Sequence, residues 1–460
     1  MARPTILERL CGRFCLLGGS DLATLLIKRG LIGIAVVVLL VEGFIHLRHP
    51  RGDFLLHWEF GRRLRTGEFL YERGMHVPYP PAWAVPHVPL SLVPVNVAKA
   101  SFLLVGAAAL AALFWLLNDS TRTQAPLREG RHFWVVALAL IVAGRFILRD
   151  LDDGGQNLVL LALCWFGVWL FARERPWSGG VSLGLAVALK CTGAIFIGYF
   201  LLKRQWKMAA SSLVWTVLFS LSPVLWMGTA GMERHLESWT SFARLGLHQP
   251  DPSVGVLGPE TLQNTSLRPS LARYLLRLPP GHPGRHYIDA LPPGDPDRRP
   301  HPWSVDFLDL SRPAANGLIK GILLAGILAT AWLFRGRWER GDTLPLVWEA
   351  ATISVLMLLY SPITWGQHCV AVLPAVYLLL RLLATGAIAF RRAGVFLAAF
   401  AFSVIGLNRS FIGKDTSLLL DSYHVLTFAL VGLVVTLFLT RPRAAGSWAN
   451  AEIIGPRMAA

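Results

Sequence analysis

Apolar stretches of roughly 18–22 residues alternate along this chain with short charged clusters, and that is the length a helix needs to cross the hydrocarbon core of a bilayer. No water reaches that core, so backbone groups must bond within their own segment and the stretches should be helices. Strands of an outer-membrane barrel would alternate with period two, and these stretches do not. Only 16% of the 460 residues are charged and 54% are hydrophobic, whereas soluble domains carry about 25% charge. The net charge of +16 would favour nucleic acid in a soluble protein; here most Lys and Arg flank the apolar stretches, where they set membrane topology, so no nucleic-acid partner is expected. The 17 Trp suit interfacial anchoring. Cys11, Cys15, Cys164, Cys191 and Cys369 have no metal-like spacing and are read as packing residues.

The hydropathy pattern predicts an all-α polytopic membrane protein, one transmembrane domain over 1–460, with about 10–13 crossings. A first span near 30–47 lacks a following small-residue cleavage site and reads as a retained anchor. Further spans fall near 82–117 (an interfacial piece, then a crossing), 132–148, 155–172, 207–228, 315–334, 345–360, 367–385, 394–407 and 420–440. The stretch 177–202 has Lys190 at its middle. A lysine at mid-bilayer costs at least about 2.5–3.5 kcal/mol, so two short antiparallel helices meeting at Lys190 are expected.

Basic clusters set the orientation. Arg3, Arg9, Arg13, Lys28 and Arg29 place the N-terminus in the cytoplasm. Alternation places Arg122/Arg128/Arg131, Arg173/Arg175, Lys203/Arg204, Arg335/Arg337/Arg340, Arg391/Arg392 and Arg441/Arg443 there too, with both termini cytoplasmic. The first outer loop, 48–94, opposes the trend with Arg48, Arg51, Arg62, Arg63, Arg65 and Arg73, which suits an interfacial amphipathic helix over Leu55–Leu64 against anionic head groups. A second outer segment, 229–312, is rich in Pro and Gly and reads as a long loop.

Transporters place ionisable residues inside their spans. Here unusual polar residues gather at span ends on the inferred outer face, which points to a site at the membrane interface. Asp53 directly follows the first span: it is either an N-cap or a general base toward a sugar hydroxyl. Arg149 has the fork to hold a lipid phosphate, and Lys190 is a second phosphate contact or else an interfacial anchor. Gly154-Gly155 makes a turn that brings Gln156 and Asn157 to the start of the next span. Trp365, Gln367 and His368 converge at one span end, a surface suited to a sugar ring.

The run Asp53-Phe54…Gly67…Tyr71…Tyr79-Pro80-Pro81…Pro89-Leu90…Pro94 resembles the first outer loop of glycosyltransferase family 87, polyprenol-phosphate-mannose-dependent mannosyltransferases of the GT-C class. Gly155-Gln156-Asn157-Leu158, Gly184-Leu185…Ala188-Leu189-Lys190, Gln263-Asn264-Thr265-Ser266-Leu267 and Ser361-Pro362…Trp365…His368 agree in order, so the resemblance covers about 50–385. It implies a GT-C-like fold and a catalytic acidic residue at Asp53. It further implies a polyprenyl-phosphate sugar donor, and transfer of a hexose, mannose by resemblance, with inversion to an α linkage on a lipid or glycan acceptor. Tyr79, Gln156, Asn157, Asn264, Trp365, Gln367 and His368 would then line the substrates, with no metal or other cofactor. The chain departs from the family pattern in the acidic run Asp150, Asp152 and Asp153, in Gln367-His368 where the family has a His pair, and in an apparent insertion at 277–302. The competing readings are a transporter or flippase of lipid-linked sugars, which predicts mid-span charges and internal symmetry, and a glycan ligase using a lipid diphosphate.

Overall fold

Each apolar stretch satisfies its backbone within itself, and helices dominate the computed structural model, which describes residues 22–48, 53–71, 79–128, 130–256, 258–279, 282 and 305–442. Helix α1 (Leu22–Arg48) is apolar and leaves most side chains exposed, as a lipid-facing span does. The short amphipathic α2 (Phe54–Thr66) follows, closed by Gly67 in the left-handed region at φ 73. Two 3-10 turns, Pro81–His87 and Pro89–Leu92, lead into α3 (Val95–Thr121), which is the expected interfacial piece followed by a crossing. Helices α4 (Arg131–Asp152) and α5 (Gln156–Ala172) meet at Gly154 and Gly155, whose φ of 107 and 69 close the turn.

Helix α6 (Pro176–Leu189) ends at Lys190, and after a 3-10 turn α7 (Ala194–Leu202) begins. The register fixes their directions. A Cβ on Gly179 would meet Met208, and one on Gly184 would meet Trp215, so α6 runs parallel to α8 (Trp206–Leu221). The short Lys203–Gln205 connection turns α8 back along α7, so α6 and α7 are antiparallel with Lys190 at the tip.

The span expected over 207–228 is interrupted. Helix α9 (Val224–His248) lies at 91° to α8; Ser222 and Pro223 between them keep α-region angles, and the chain breaks inside α9 at Gly228, whose φ of 67 and ψ of 179 are not helical. The expected loop over 229–312 is thereby corrected: α9 runs well into it, and the segment also holds a hairpin, β1 (Val254–Gly255) with β2 (Gly258–Pro259), and α10 (Leu267–Leu275). Its Pro and Gly content marks the breaks between short elements, which hydropathy alone does not register. The apparent insertion at 277–302, the N-terminal basic cluster at Arg3, Arg9 and Arg13, and Arg51, Arg73 and Arg443 lie outside the described residues, apart from 277–279 and His282.

Helices α11 (Arg312–Phe334), α12 (Thr343–Tyr360) and α13 (Leu373–Thr385) follow, with α12 and α13 central. Large buried side chains such as Trp165, Trp348, Tyr377, Phe146, Phe196 and Phe200 fill the core around them. Helix α14 (Phe390–Ala401) continues into a π turn at Phe402–Gly406. Helices α15 (Arg409–Ile412), α16 (Lys414–Ser422) and α17 (Val425–Leu439) complete the chain, with a 58° bend between α16 and α17. By length and composition five described helices can cross a membrane, or seven if each bent pair is one span. The remaining apolar stretches form shorter helices, including α5, α6 and α7.

The basic clusters assigned to one side do share one end of the bundle. There Arg173 pairs with Asp119, Lys203 Nζ donates to Gly336 O at 2.7 Å, Arg131 reaches Ala384 O at 2.8 Å, and Arg381 reaches Ala125 O at 2.8 Å. Lys203 is also buried against Glu349 at 2.7 Å, and Tyr199 donates to the same carboxylate at 2.6 Å. Removing one member would leave an uncompensated buried charge. In the basic segment after α1, Arg62 pairs with Glu59 and Glu68, each at 2.7 Å, and Arg63 with Glu59 at 2.9 Å.

Candidate active site at the opposite end of the bundle

Close backbone approach seats α2. A Cβ on Gly61 would lie 2.2 Å from His87 O, so the helix packs directly on the 3-10 turn. Phe54, fully buried, covers Gly154, where a Cβ would lie 2.7 Å from its ring. These contacts fix Asp53 between the α4–α5 turn and the 361–368 segment. Asp53 occupies the N-cap position but has α-region backbone angles and makes no side-chain cap. Its Oδ2 instead accepts Gln367 Nε2 at 3.2 Å.

The α4–α5 turn is held by its acidic run. Asp150 accepts the backbone N–H of Leu158 at 3.0 Å and Asn157 Nδ2 at 2.7 Å, so this carboxylate caps α5. Asp153 is buried, accepts the backbone N–H of Asp53, and lies 3.2 Å from Arg149 Nε. Burial pushes the Asp153 carboxyl up to about 7; Arg149 opposes that shift and Asp53 adds to it. Arg149, expected at the donor phosphate, is half-exposed and engaged with Asp153, with Asp152 also 3.7 Å away. The departure from the family pattern is therefore a structural turn that carries Arg149 beside Asp53.

Lys190 Nζ donates to Asn157 Oδ1 at 2.9 Å and lies 5.6 Å from the Tyr79 ring centroid, near enough to Asp53 and Asp150 to feel both charges. Tyr79 stacks on Trp83 at 4.5 Å, and burial holds its hydroxyl far above the ordinary range. Beneath it Trp83 Nε1 donates to His57 Nδ1 at 2.9 Å, and Gln156 Nε2 meets His87 Nε2 at 3.1 Å. Burial lowers both histidines, His87 to about 4, so the pair is neutral at pH 7. The Gln156 amide thus meets His87 in the 3-10 turn after α2.

Between α5, the Lys190 turn, α12 and the segment at 361–371 lies an open cleft. Lys190, Asn157 and His368 give it polar groups; Leu160, Ala186, Met357 and Leu358 give it apolar ones. Asn264 is buried and does not face this cleft. Its Nδ2 donates to Pro362 O at 2.9 Å, and its Oδ1 accepts Thr364 N at 2.9 Å, tying the 260–266 segment to the irregular segment before Trp365. Trp365 and His368 stack with ring centroids 6.1 Å apart, and His368 Nδ1 accepts the Trp365 N–H at 3.2 Å.

The structure therefore gathers Asp53, Gln367, Lys190, Asn157 and Tyr79, with Trp365 and His368 beside them. Sequence reasoning missed His57, Trp83 and His87. Their signal was helical spacing, His57 four residues after Asp53 and His87 four after Trp83, but spacing does not show that both turns face each other. Among the described residues no three His, Cys, Asp or Glu could jointly hold a metal ion. The set offers one carboxylate fixed by an amide, one ammonium over an apolar cleft and an aromatic platform between them.

The family model of glycosyltransferase family 87 matches residues 77–362. The chain is 29% identical over 367 residues to a polyprenol-phosphate-mannose-dependent alpha-(1-2)-phosphatidylinositol mannoside mannosyltransferase of Mycobacterium tuberculosis, covering 76% of this chain and 72% of the relative. It is 25% identical over 372 residues to the Mycolicibacterium smegmatis protein of the same description, with the same two shares. It is 25% identical over 190 residues, 40% of this chain and 44% of the relative, to an alpha-(1->3)-arabinofuranosyltransferase of Corynebacterium glutamicum. No solved structure matches the chain.

Proposed function

The chain belongs to glycosyltransferase family 87, and on that premise we propose that Asp53 is the general base of a transfer from a polyprenyl-phosphate sugar to a lipid or glycan acceptor. The protein is a membrane hexosyltransferase that uses a lipid-linked sugar. The hexose is mannose, as in the donors named for two relatives, and the acceptor is a hexose-bearing lipid like their phosphatidylinositol mannosides. The site end of the bundle faces outward, as the basic clusters at the other end argue.

One observation carries this reading: Asp53 stands where a helix cap would, yet its carboxylate is turned to Gln367 instead. In the transfer, the acceptor oxygen attacks the anomeric carbon while its proton passes to Asp53. The bond from that carbon to the phosphate oxygen breaks, and the lipid phosphate leaves with the electron pair. A phosphate leaving group needs little protonation; a cation suffices. Lys190 meets that need at the edge of a cleft with an apolar lining for the first carrier carbons. Arg149 is a second cation, held close by Asp153. Attack from the face opposite the phosphate inverts the anomeric centre, giving an α linkage from a β-phosphate donor. The test is label transfer from polyprenyl-phosphate-[14C]mannose in membranes carrying the wild type or Asp53→Asn. Label should leave the carrier only with the wild type; equal transfer by both overturns the assignment.

A further inference from the structure

Under Tyr79 the side chains of Gln156, His87, Trp83 and His57 form one directed hydrogen-bond chain. His87 Nδ1 lies 2.7 Å from Trp83 O, and a carbonyl only accepts, so Nδ1 carries the ring proton. Burial keeps the ring neutral, which leaves Nε2 as an acceptor, and Gln156 Nε2 donates to it at 3.1 Å. Trp83 Nε1 in turn donates to His57 Nδ1 at 2.9 Å, so that neutral ring holds its proton on Nε2. We propose that Gln156, His87 and His57 are positioning residues that hold Tyr79 and Asp53 in register with Lys190, which rests on the transfer reading above and adds what aligns its groups.

The chain joins the elements that carry the site. Gln156 and Asn157 open α5, and their amides go to different neighbours: Asn157 Oδ1 accepts Lys190 Nζ at 2.9 Å, while Gln156 reaches His87. One helix start thus holds both the cation and the first donor of the chain. In the 3-10 turn, Trp83 stacks on Tyr79 with rings 4.5 Å apart and 12° from parallel, and Lys190 Nζ stands 5.6 Å from the Tyr79 centroid. At the far end, His57 sits on α2 one turn after Asp53, the spacing that puts two side chains on one helix face. Its ring meets that of Tyr79 edge-on at 5.2 Å. The backbone seats the same joint, since Gly61 packs directly on His87 O.

A joint that only needed filling would be apolar. His57, Trp83, His87 and Gln156 are all buried, so each of their donors needs an acceptor, and together they admit one arrangement. Sliding α2 along the turn would break the bond from Trp83 to His57 and strand a buried N–H. An in-line displacement demands such a fixed geometry, because misplacing the reacting atoms by about 1 Å costs on the order of 10²-fold in rate.

The test is transfer kinetics in membranes with polyprenyl-phosphate-[14C]mannose, beside titration of a fluorescent polyprenyl-phosphate analogue. Gln156→Met and His57→Leu should each lower kcat by about tenfold or more, with donor affinity unchanged. His57→Asn is the rescue: its amide oxygen takes the place of Nδ1 and accepts the Trp83 N–H, so most of the lost kcat should return. Plain packing predicts the reverse order, because leucine is the more apolar residue and the better helix former. Trp83→Phe keeps the stack on Tyr79 and removes only the N–H; it should match His57→Leu, and it keeps the test decisive if the His57 variants do not fold. Asp53→Asn removes the base and leaves the chain whole, so failure of the transfer reading and failure of the positioning role are separate results. The positioning role is overturned if His57→Asn is no better than His57→Leu, if Trp83→Phe keeps wild-type kcat, or if Gln156→Met weakens donor binding and leaves kcat intact.

Discussion

Gln367 Nε2 donates to Asp53 Oδ2 at 3.2 Å, joining residues 314 apart in the chain. The bond takes the Asp53 carboxylate away from its own helix start and fixes it at the cleft end of α2. The amide donates to an acceptor-only carboxylate, so it orients Asp53 while leaving Oδ1 for an incoming hydroxyl proton.

Asp53→Asn should lower transfer by about 10²–10⁴-fold, the range for losing a general base. Thermal stability should stay near wild type, because Asp53 makes no cap bond and Asn caps about as well as Asp in any case. Transfer kinetics and a melting curve on the same preparation check this; an inactive protein with a greatly lowered Tm would point to a structural role.

Gln367→Ala should reduce kcat by roughly tenfold or more, with donor KM little changed. A hydrogen bond to a charged group is worth about 1.5–3 kcal/mol, and here it acts on the geometry of the base. Gln367→Glu should be worse than alanine, since it sets a second carboxylate against Asp53.

Lys190→Met should weaken donor binding by about 10- to 100-fold, the loss of one charge-assisted bond. Arg149→Gln should do less, because Arg149 already engages Asp153 and Asp152. Titration of a fluorescent polyprenyl-phosphate analogue distinguishes them; a larger loss from Arg149→Gln would move the phosphate to the α4–α5 turn.

Asp153 gives a pH dependence. Its folded carboxyl is raised from 3.8 to about 7. Between those values the native state therefore binds more protons than the unfolded state, and stability falls as pH rises through that window. Above it the loss is constant. Asp153→Asn keeps an acceptor for the Asp53 N–H and lacks the ionisation. The gap in Tm between Asp153→Asn and wild type should widen from pH 4 to pH 7 in the variant's favour, then level off. A gap independent of pH would contradict the shift.

Topology is tested by single cysteines in a cysteine-free background, because native Cys191 is exposed. Thr66→Cys, at the site end, should react with an impermeant maleimide in intact cells. Gly336→Cys, beside Lys203, should react only after lysis. The reverse pattern would invert the orientation.

The sequence by itself determined the helical membrane architecture, because apolar stretches in lipid have no other way to satisfy their backbone. It also determined the break at Lys190, since a charged tip is tolerable only where two short helices turn, and it placed the basic clusters at one end. The ordered motifs pointed to Asp53 and to the family. Tertiary structure alone decided that the Asp53 side chain is not a cap, that the Gln156 amide meets His87, and that Asp153 holds Arg149. It also decided that the segment after residue 229 folds into α9, a hairpin and α10. Each of these depends on contacts between residues far apart in the chain. Local spacing reports which side chains share a helix face, but not which distant segment that face will meet.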